Sequence, residues 1–141
     1  MKKLKQLLKK KKVKKIKCCQ YKRCENTNCV QGHHIVKRGQ AKYLLNCKAN
    51  IIDLCWDHHH GTYGAHGKYG NELDHELKQH FQEYLKMIFG SDIYYTVEQI
   101  SEKLGINIKA AEGLVKLILP KEGKYLGENI IRECMGGKMI I

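Results

Sequence analysis

The chain has 141 residues, a formal net charge of +12, eight histidines and seven cysteines. This length suits one compact domain or two very small modules. The longest apolar run in residues 1–16 is Leu7–Leu8, which argues against a signal peptide. No segment reaches the roughly 18 apolar residues of a membrane-spanning helix. We therefore expect no membrane partner and a cytoplasmic, reducing compartment in which cysteines bind metal rather than form disulfides.

The positive charge is concentrated at the N-terminus. Residues 1–23 carry 12 Lys and Arg and no acid, whereas residues 24–141 carry 14 charges of each sign. This distribution predicts a flexible basic arm over residues 1–17, whose natural partner is a polyanion such as DNA, bound largely without regard to sequence. A solubilising or localising tail is the alternative. The predicted nucleic-acid contacts are Lys9, Lys10, Lys11, Lys12, Lys14 and Lys15.

Residues 18–66 contain six of the seven cysteines and six of the eight histidines. Four soft ligands in two closely spaced pairs are typical of a closed, structural Zn²⁺ site. Such a site would also stabilise a segment of about 50 residues, which is too short to bury a large core. The predicted zinc ligands are Cys19, Cys24, Cys55 and His58.

The first pair of this site is ambiguous, because Cys24 has the same spacing to Cys19 as to Cys29. Cys29 falls in the expected first strand, where it would pack as a small apolar side chain. We therefore favour Cys19. Cys47 and Cys134 are predicted to be ordinary buried thiols.

The combination of His33-His34-Ile35, Asn50 and Cys55-x2-His58-His59 resembles the signature of HNH endonucleases. In particular, it is similar to the small, zinc-stabilised HNH proteins of phages and prophages. The resemblance covers residues 18–75, about 40% of the chain. It implies an α+β fold whose core is a ββα-metal (His-Me) finger braced by the zinc, with two strands and a helix holding one divalent ion.

The resemblance also implies roles for individual residues. His33 and His59 would bind the catalytic ion, for which we expect Mg²⁺ or Mn²⁺. His34 would be the general base that removes a proton from the attacking water, and Asn50 would hold the loop that orients it. A histidine suits this role because imidazole titrates near cellular pH.

One position departs from the family pattern. Many members carry a further histidine four residues after the one at His59, and this chain has Tyr63 there. His66 follows in the glycine-rich segment 61–67, which could fold back toward the ion. We therefore take His66 as the candidate third ligand of the catalytic metal.

The remaining chain predicts short strands and helices. Residues 31–36 and 50–55 are predicted to be short elements separated by a loop that contains Gly39. Apolar residues at helical spacing, closed by Gly90, predict a helix over residues 71–90; these residues are Leu73, Leu77, Phe81, Leu85 and Ile88. The expected units are the arm 1–17, a nuclease domain 18–90 and a small helical module 91–141.

The C-terminal module begins with a helix start at Thr96, with Gln99 at the third helical position. Gly105 interrupts this helix, and a second helix is predicted over residues 108–119, before Pro120. Two short helices joined by a glycine-containing turn have the outline of a helix-turn-helix, and a plain helical hairpin is the equal alternative.

The function predicted from the sequence is metal-dependent endonucleolytic cleavage of DNA. One divalent ion can stabilise the charge that develops during phosphodiester hydrolysis. The family resemblance implies phage DNA processing in a bacterial host or phage-infected cell, with the packaging machinery as a partner. The alternatives are a ribonuclease using the same centre, and a non-catalytic protein whose histidines all serve zinc sites and DNA binding.

Overall fold

A computed structural model describes residues 16–141. The predicted arm contacts between Lys9 and Lys15 lie outside the described residues. Within the described part, the fold is mixed α+β, as predicted, with five α-helices and two separate two-stranded antiparallel sheets. None of the helices in this part of the chain is long and apolar enough to cross a membrane.

The first sheet pairs β1 (Gln31–His34) with β2 (Ile51–Leu54), and His33 lies opposite Ile52. Both strands are shorter than the predicted elements. The ladder ends at His34 because the side chain of Asn50 bonds to the backbone of Val36 in place of a further strand pair. The connecting loop contains two 3-10 turns, Lys42–Leu44 and Lys48–Asn50.

A short helix, α1 (Trp56–His60), follows β2 directly. A glycine-rich loop over residues 61–70 then leads to α2 (Asn71–Ile88), whose bounds agree closely with the predicted helix. The apolar stripe of α2 faces the core, with Leu73, Leu77, Phe81 and Leu85 all buried. The helix α2 therefore contributes its apolar face to the same buried core that contains Leu54 of β2.

The C-terminal part contains β3 (Tyr94–Tyr95), α3 (Val97–Leu104), α4 (Ile108–Val115), β4 (Tyr125–Leu126) and α5 (Gly127–Cys134). The predicted capping box is present, since Thr96 and Gln99 exchange side-chain to backbone hydrogen bonds. Gly105 ends α3 with a φ of +64°, a left-handed conformation that favours glycine.

Two features of this part differ from the prediction. The helix α4 ends at Val115 and not at residue 119, because a tight turn after it buries Ile118 and exposes Leu117 and Leu119. The residue before Pro120 is also disfavoured in the helical conformation. In addition, β3 and β4 pair as a small sheet that the sequence did not predict.

The two parts pack closely against each other. The Cβ of an alanine at Gly113 would lie 2.8 Å from the ring of Tyr43, so α4 directly contacts the loop between β1 and β2. The thiol of Cys47 donates to the carbonyl of Leu104 at 3.4 Å. Cys47 and Cys134 are fully buried, as predicted. The proposed unit boundaries at residues 17 and 90 stay predictions.

Candidate metal centres

Four soft ligands converge where the segment before β1 meets the start of α1. The ligand atoms of Cys19, Cys24, Cys55 and His58 all lie within 4.8 Å of one another. These are the four residues that the sequence analysis selected for zinc. Cys19 and Cys55 are buried, while Cys24 and His58 are half-buried. The group could hold a metal ion such as zinc.

The separations in this cluster suit tetrahedral coordination. Zn–S bonds of about 2.3 Å and Zn–N bonds of about 2.0–2.1 Å give tetrahedral edges of roughly 3.8 Å between sulfurs and 3.5 Å between sulfur and nitrogen. The Sγ atoms of Cys24 and Cys55 are 3.9 Å apart. The Nδ1 of His58 lies 3.4 Å from Sγ of Cys19 and 3.3 Å from Sγ of Cys55.

The backbone around Cys24 is held in an unusual conformation. Lys22 and Glu25 have φ values of +51° and +52°, which non-glycine residues adopt at a cost of about 1–3 kcal/mol each. A bound ion would offset that cost by fixing the turn between Cys19 and Cys24. Burial opposes ionisation of Cys55, but hydrogen bonds from the N–H of His58 and from the thiols of Cys19 and Cys24 lower its pKa. Burial raises the pKa of Cys19 in turn. Cys55 is therefore the thiol of this pair that is favoured as the thiolate, the form that metals bind.

Cys29 lies outside this cluster. The sequence analysis placed it within the first strand as a packed side chain, and both expectations are wrong. Cys29 precedes β1, is exposed, and has a φ of +49°, which is incompatible with a strand. Cys18 is likewise exposed.

A second group forms on the other side of α1, where His33, His59 and His66 meet. Their ligand nitrogens lie within 4.8 Å of one another. His33 comes from β1, His59 from α1 and His66 from the glycine-rich loop. The His33 ring centroid lies 5.1 Å from that of His59 and 4.9 Å from that of His66. The structure thus brings together the three residues that the sequence analysis selected for the catalytic ion.

Two nitrogens of this histidine group have no hydrogen-bond partner. Among residues 16–141, the buried side-chain nitrogen and oxygen atoms without a partner are Nε2 of His33 and Nδ1 of His59. Leaving such a group buried and unsatisfied costs about 1–3 kcal/mol. A metal ion would satisfy both nitrogens, so the donor set fits a divalent cation.

The electrostatics of the group also suit a cation. Burial, together with the neighbouring His66 and His59, lowers the pKa of His33 to about 4. Burial is the main cause that lowers the pKa of both His59 and His66, and the charge of His60 is the second. All three rings are therefore neutral at pH 7, which is the form that binds metal ions.

His34 and Asn50 lie beside this group in fixed orientations. The Nε2 of His34 lies 3.0 Å from the carbonyl oxygen of Leu45. A carbonyl only accepts, so Nε2 carries the proton, and Nδ1 of the neutral ring is free to accept one. Asn50 is fully buried and bonds to both the N–H and the carbonyl of Val36, at 2.8 and 3.1 Å, which closes the base of the loop that contains Leu45.

The histidines line an open cavity of about 440 Å³. Its wall also includes Lys37 and Arg38, two exposed cations that the sequence analysis passed over. They directly follow the buried pair Ile35 and Val36. This position, just after the strand that carries His33, is the feature of the sequence that could have indicated their place beside the histidines. Together they provide positive charge next to neutral imidazoles, an arrangement suited to a phosphate group.

The loop that carries His66 is built on a glycine at every third position. A Cβ at Gly67 would lie 1.9 Å from the carbonyl oxygen of Gly61, and one at Gly70 would lie 1.9 Å from that of Gly64. The loop therefore packs backbone against backbone. Its position is fixed by a hydrogen bond of 2.8 Å from the N–H of His66 to the carbonyl of His59.

No family model, curated protein or solved structure matches this chain. The functional assignment therefore depends on the geometry of the two centres themselves.

Proposed function

We propose that the protein is a metal-dependent endonuclease of the HNH type, with a ββα-metal core, that hydrolyses phosphodiester bonds in DNA. The order of β1, β2 and α1, with histidines at the end of β1 and in α1, supports this assignment. The observation that carries it is the pair of partnerless buried nitrogens on His33 and His59, two members of the histidine group that also includes His66. A purely structural histidine cluster has no need to leave them unsatisfied.

His33, His59 and His66 would hold the divalent ion, whose chemistry at this place is that of a Lewis acid for the scissile phosphate and the leaving 3′ oxygen. His34 then removes a proton from the attacking water through its free Nδ1. The carbonyl of Leu45 orients the ring and stabilises the protonated form by accepting from Nε2. Asn50 is a positioning residue that keeps this loop in place.

The DNA backbone would lie against the cations of the same cavity. Lys37 and Arg38 line this cavity and would bind backbone phosphates near the scissile bond. A zinc ion bound by the Cys3His group would hold α1, which contributes His58 to one group and His59 to the other, and so would keep His59 in position. Phage DNA processing remains part of this proposal through the family resemblance alone.

The proposal is tested by nicking of supercoiled plasmid, with a structured RNA as a parallel substrate. We expect the wild-type protein to nick DNA when Mg²⁺ or Mn²⁺ is added. His34→Ala should retain zinc and DNA binding yet lose about 10²–10⁴-fold in rate, since a general base contributes that much. His80→Ala is the matched control, because His80 is an exposed histidine on α2 that lies outside the cavity.

Other outcomes would select the alternatives. Cleavage of the RNA with intact plasmid would make the protein a ribonuclease. If His34→Ala cuts as fast as wild type, the proposed mechanism is wrong. If the wild-type protein cuts neither substrate, a non-catalytic protein with two structural metal sites becomes the better interpretation.

A further inference from the structure

The glycine-rich loop presents two tyrosines to solvent beside a second cavity. Tyr63 is 73% exposed and Tyr69 is 55% exposed, and their ring centroids lie 5.7 Å apart at an interplanar angle of 31°. The cavity next to them has a volume of about 300 Å³ and is also lined by Tyr21. Three aromatic rings at one open cavity provide the flat apolar faces on which nucleobases stack.

The backbone that carries Tyr63 and Tyr69 is held in place before any ligand binds. The N–H of Tyr69 bonds to the carbonyl of Thr62 at 2.8 Å, which brings the two ends of the loop together. The close backbone approaches at Gly67 and Gly70 fix the rest of the loop. The backbone of the loop therefore loses little conformational entropy when a base stacks on the rings.

The two cavities are neighbours through shared elements. His66, midway between Tyr63 and Tyr69 in the loop, lines the cavity of the histidine group. The consecutive residues His58 and His59 line the tyrosine cavity and the histidine cavity, respectively. A nucleic-acid strand that extends from the histidine cavity across α1 and the glycine-rich loop would reach the tyrosines.

The charges at the tyrosine cavity suit an uncharged base with its phosphate outside. The Nζ of Lys68 lies 5.4 Å from the Tyr69 ring centroid, and that of Lys22 lies 5.2 Å from the Tyr21 ring centroid. Glu72 and Glu76 also line the cavity. Glu76 accepts from the Tyr21 hydroxyl at 2.8 Å and pairs with Lys22 at 3.7 Å. Lys22 and Lys68 would bind the phosphates of the strand, while the rings stack on its base.

We propose that Tyr63 and Tyr69 form a stacking site for an unpaired base of the substrate strand. The inference rests on the proposed nuclease function and narrows its substrate class. The preferred substrate is nucleic acid with a single-stranded or locally opened stretch, because a base inside an intact duplex has no exposed face to stack.

The test compares binding of three fluorescent probes to the zinc-loaded full chain without added Mg²⁺ or Mn²⁺. The probes are a short oligothymidylate, an abasic strand with the same number of phosphates, and a duplex of the same length. We expect the doubly substituted variant, Tyr63→Ala with Tyr69→Ala, to lose about tenfold in affinity for oligothymidylate. Its affinity for the abasic strand should not change, because that strand keeps only the phosphate contacts.

Two further variants make the result specific to stacking. Tyr63→Phe with Tyr69→Phe should bind as wild type does, since the rings remain. Tyr84→Ala is the matched control, because Tyr84 is an exposed tyrosine on α2 away from both cavities. Equal affinities of wild type for oligothymidylate and the abasic strand, or an unchanged affinity in the alanine variant, would overturn the proposal.

A separate plasmid-nicking measurement distinguishes this failure from failure of the nuclease assignment. If the protein nicks plasmid but binds oligothymidylate no better than the abasic strand, the stacking site alone is overturned. Base-dependent binding without cleavage of any substrate overturns the nuclease assignment and leaves a nucleic-acid-binding site.

Discussion

At the scale of single residues, the three histidines of the second centre differ in burial and in how firmly their rings are oriented for a metal ion. His33 and His59 are buried with partnerless nitrogens, whereas His66 is exposed and comes from a loop. Buried, preoriented ligands lose less entropy on binding than an exposed one does. We therefore expect the three residues to contribute unequally to the affinity for the ion.

His59→Ala and His66→Ala should both weaken binding of the catalytic ion, and His59→Ala should do so more strongly. Raised Mn²⁺ should restore part of the nicking rate in each variant, because the proton-transfer step is intact. Titration of the rate against Mn²⁺ concentration measures this effect, with His34→Ala as the control that added metal does not rescue. A wild-type titration curve for His66→Ala would show that His66 is not a ligand.

The lowered pKa of His33 predicts a dependence of stability on pH. Its pKa is about 4 in the folded protein, against an ordinary value near 6.5 in the unfolded chain. Between these values the unfolded state binds a proton that the folded state does not, so the free energy of unfolding increases with pH. The stabilisation is complete above pH 6.5 and is lost progressively as the pH falls toward 4.

Urea unfolding without added Mg²⁺ or Mn²⁺ measures this contribution. Between pH 7 and pH 5, wild type should lose about 2 kcal/mol more of its unfolding free energy than His33→Gln does. The two proteins share the same Cys3His cluster, so acid release of its metal affects both. If the unfolding free energies of the two proteins change equally with pH, the lowered pKa of His33 is contradicted.

At the scale of elements, the glycine-rich loop is the part of the site with the least tolerance for change. Gly67→Ala would place a methyl group 1.9 Å from a backbone oxygen, so the loop must move and carry His66 with it. We expect a loss of about 1–3 kcal/mol in unfolding free energy and weaker Mn²⁺ binding, with zinc content unchanged. Gly39→Ala is the matched control, since a Cβ there meets no atom within 4 Å.

Elements with a local chemical signal were predictable from the sequence. The capping box at Thr96 and Gln99 and the apolar spacing of α2 are local patterns, and both predicted elements are present. The early end of β1, the early end of α4 and the pairing of β3 with β4 depend on contacts between distant segments. Asn50, for example, ends β1 from fourteen residues away.

In the candidate site, too, some residues were predictable from the sequence and others only from their position in the fold. Ligand type and spacing selected Cys19, Cys24, Cys55 and His58, because metal chemistry restricts ligands to a few side chains. The family resemblance, with its departure at Tyr63, suggested His33, His59 and His66, which form the second group. The same spacing could not separate Cys19 from Cys29, which the backbone conformation distinguishes. Lys37, Arg38, Tyr63 and Tyr69 carry no such restriction, so only their position around the cavities indicates a role.

At the scale of the whole molecule, charge and chemistry are separated along the chain. Residues 24–141 are formally neutral, while residues 1–23 carry the entire excess of +12. The part of the chain after residue 23 therefore has little net charge to attract a polyanion over a long range. We infer that the salt-dependent attraction of nucleic acid and its proposed hydrolysis depend largely on different parts of the sequence.

Deleting residues 1–17 should flatten the salt dependence of DNA binding and leave the metal centres intact. Each phosphate that the arm neutralises contributes about 0.9 to the slope of log affinity against log salt concentration. Fluorescence anisotropy with a duplex at several salt concentrations gives the slope, and zinc analysis of the truncated protein is the control. A slope equal to that of the full chain would make the arm a solubility or localisation segment.

Because His58 and His59 are adjacent in α1, metal binding at the two centres should be coupled. One turn of helix supplies a side chain to each centre, so an ion that orders this turn at one centre prepares the ligand of the other. Thermodynamic linkage makes such an effect reciprocal: if zinc strengthens binding of the second ion by some factor, the second ion strengthens zinc binding by the same factor. Scarcity of either metal would then lower the occupancy of both centres.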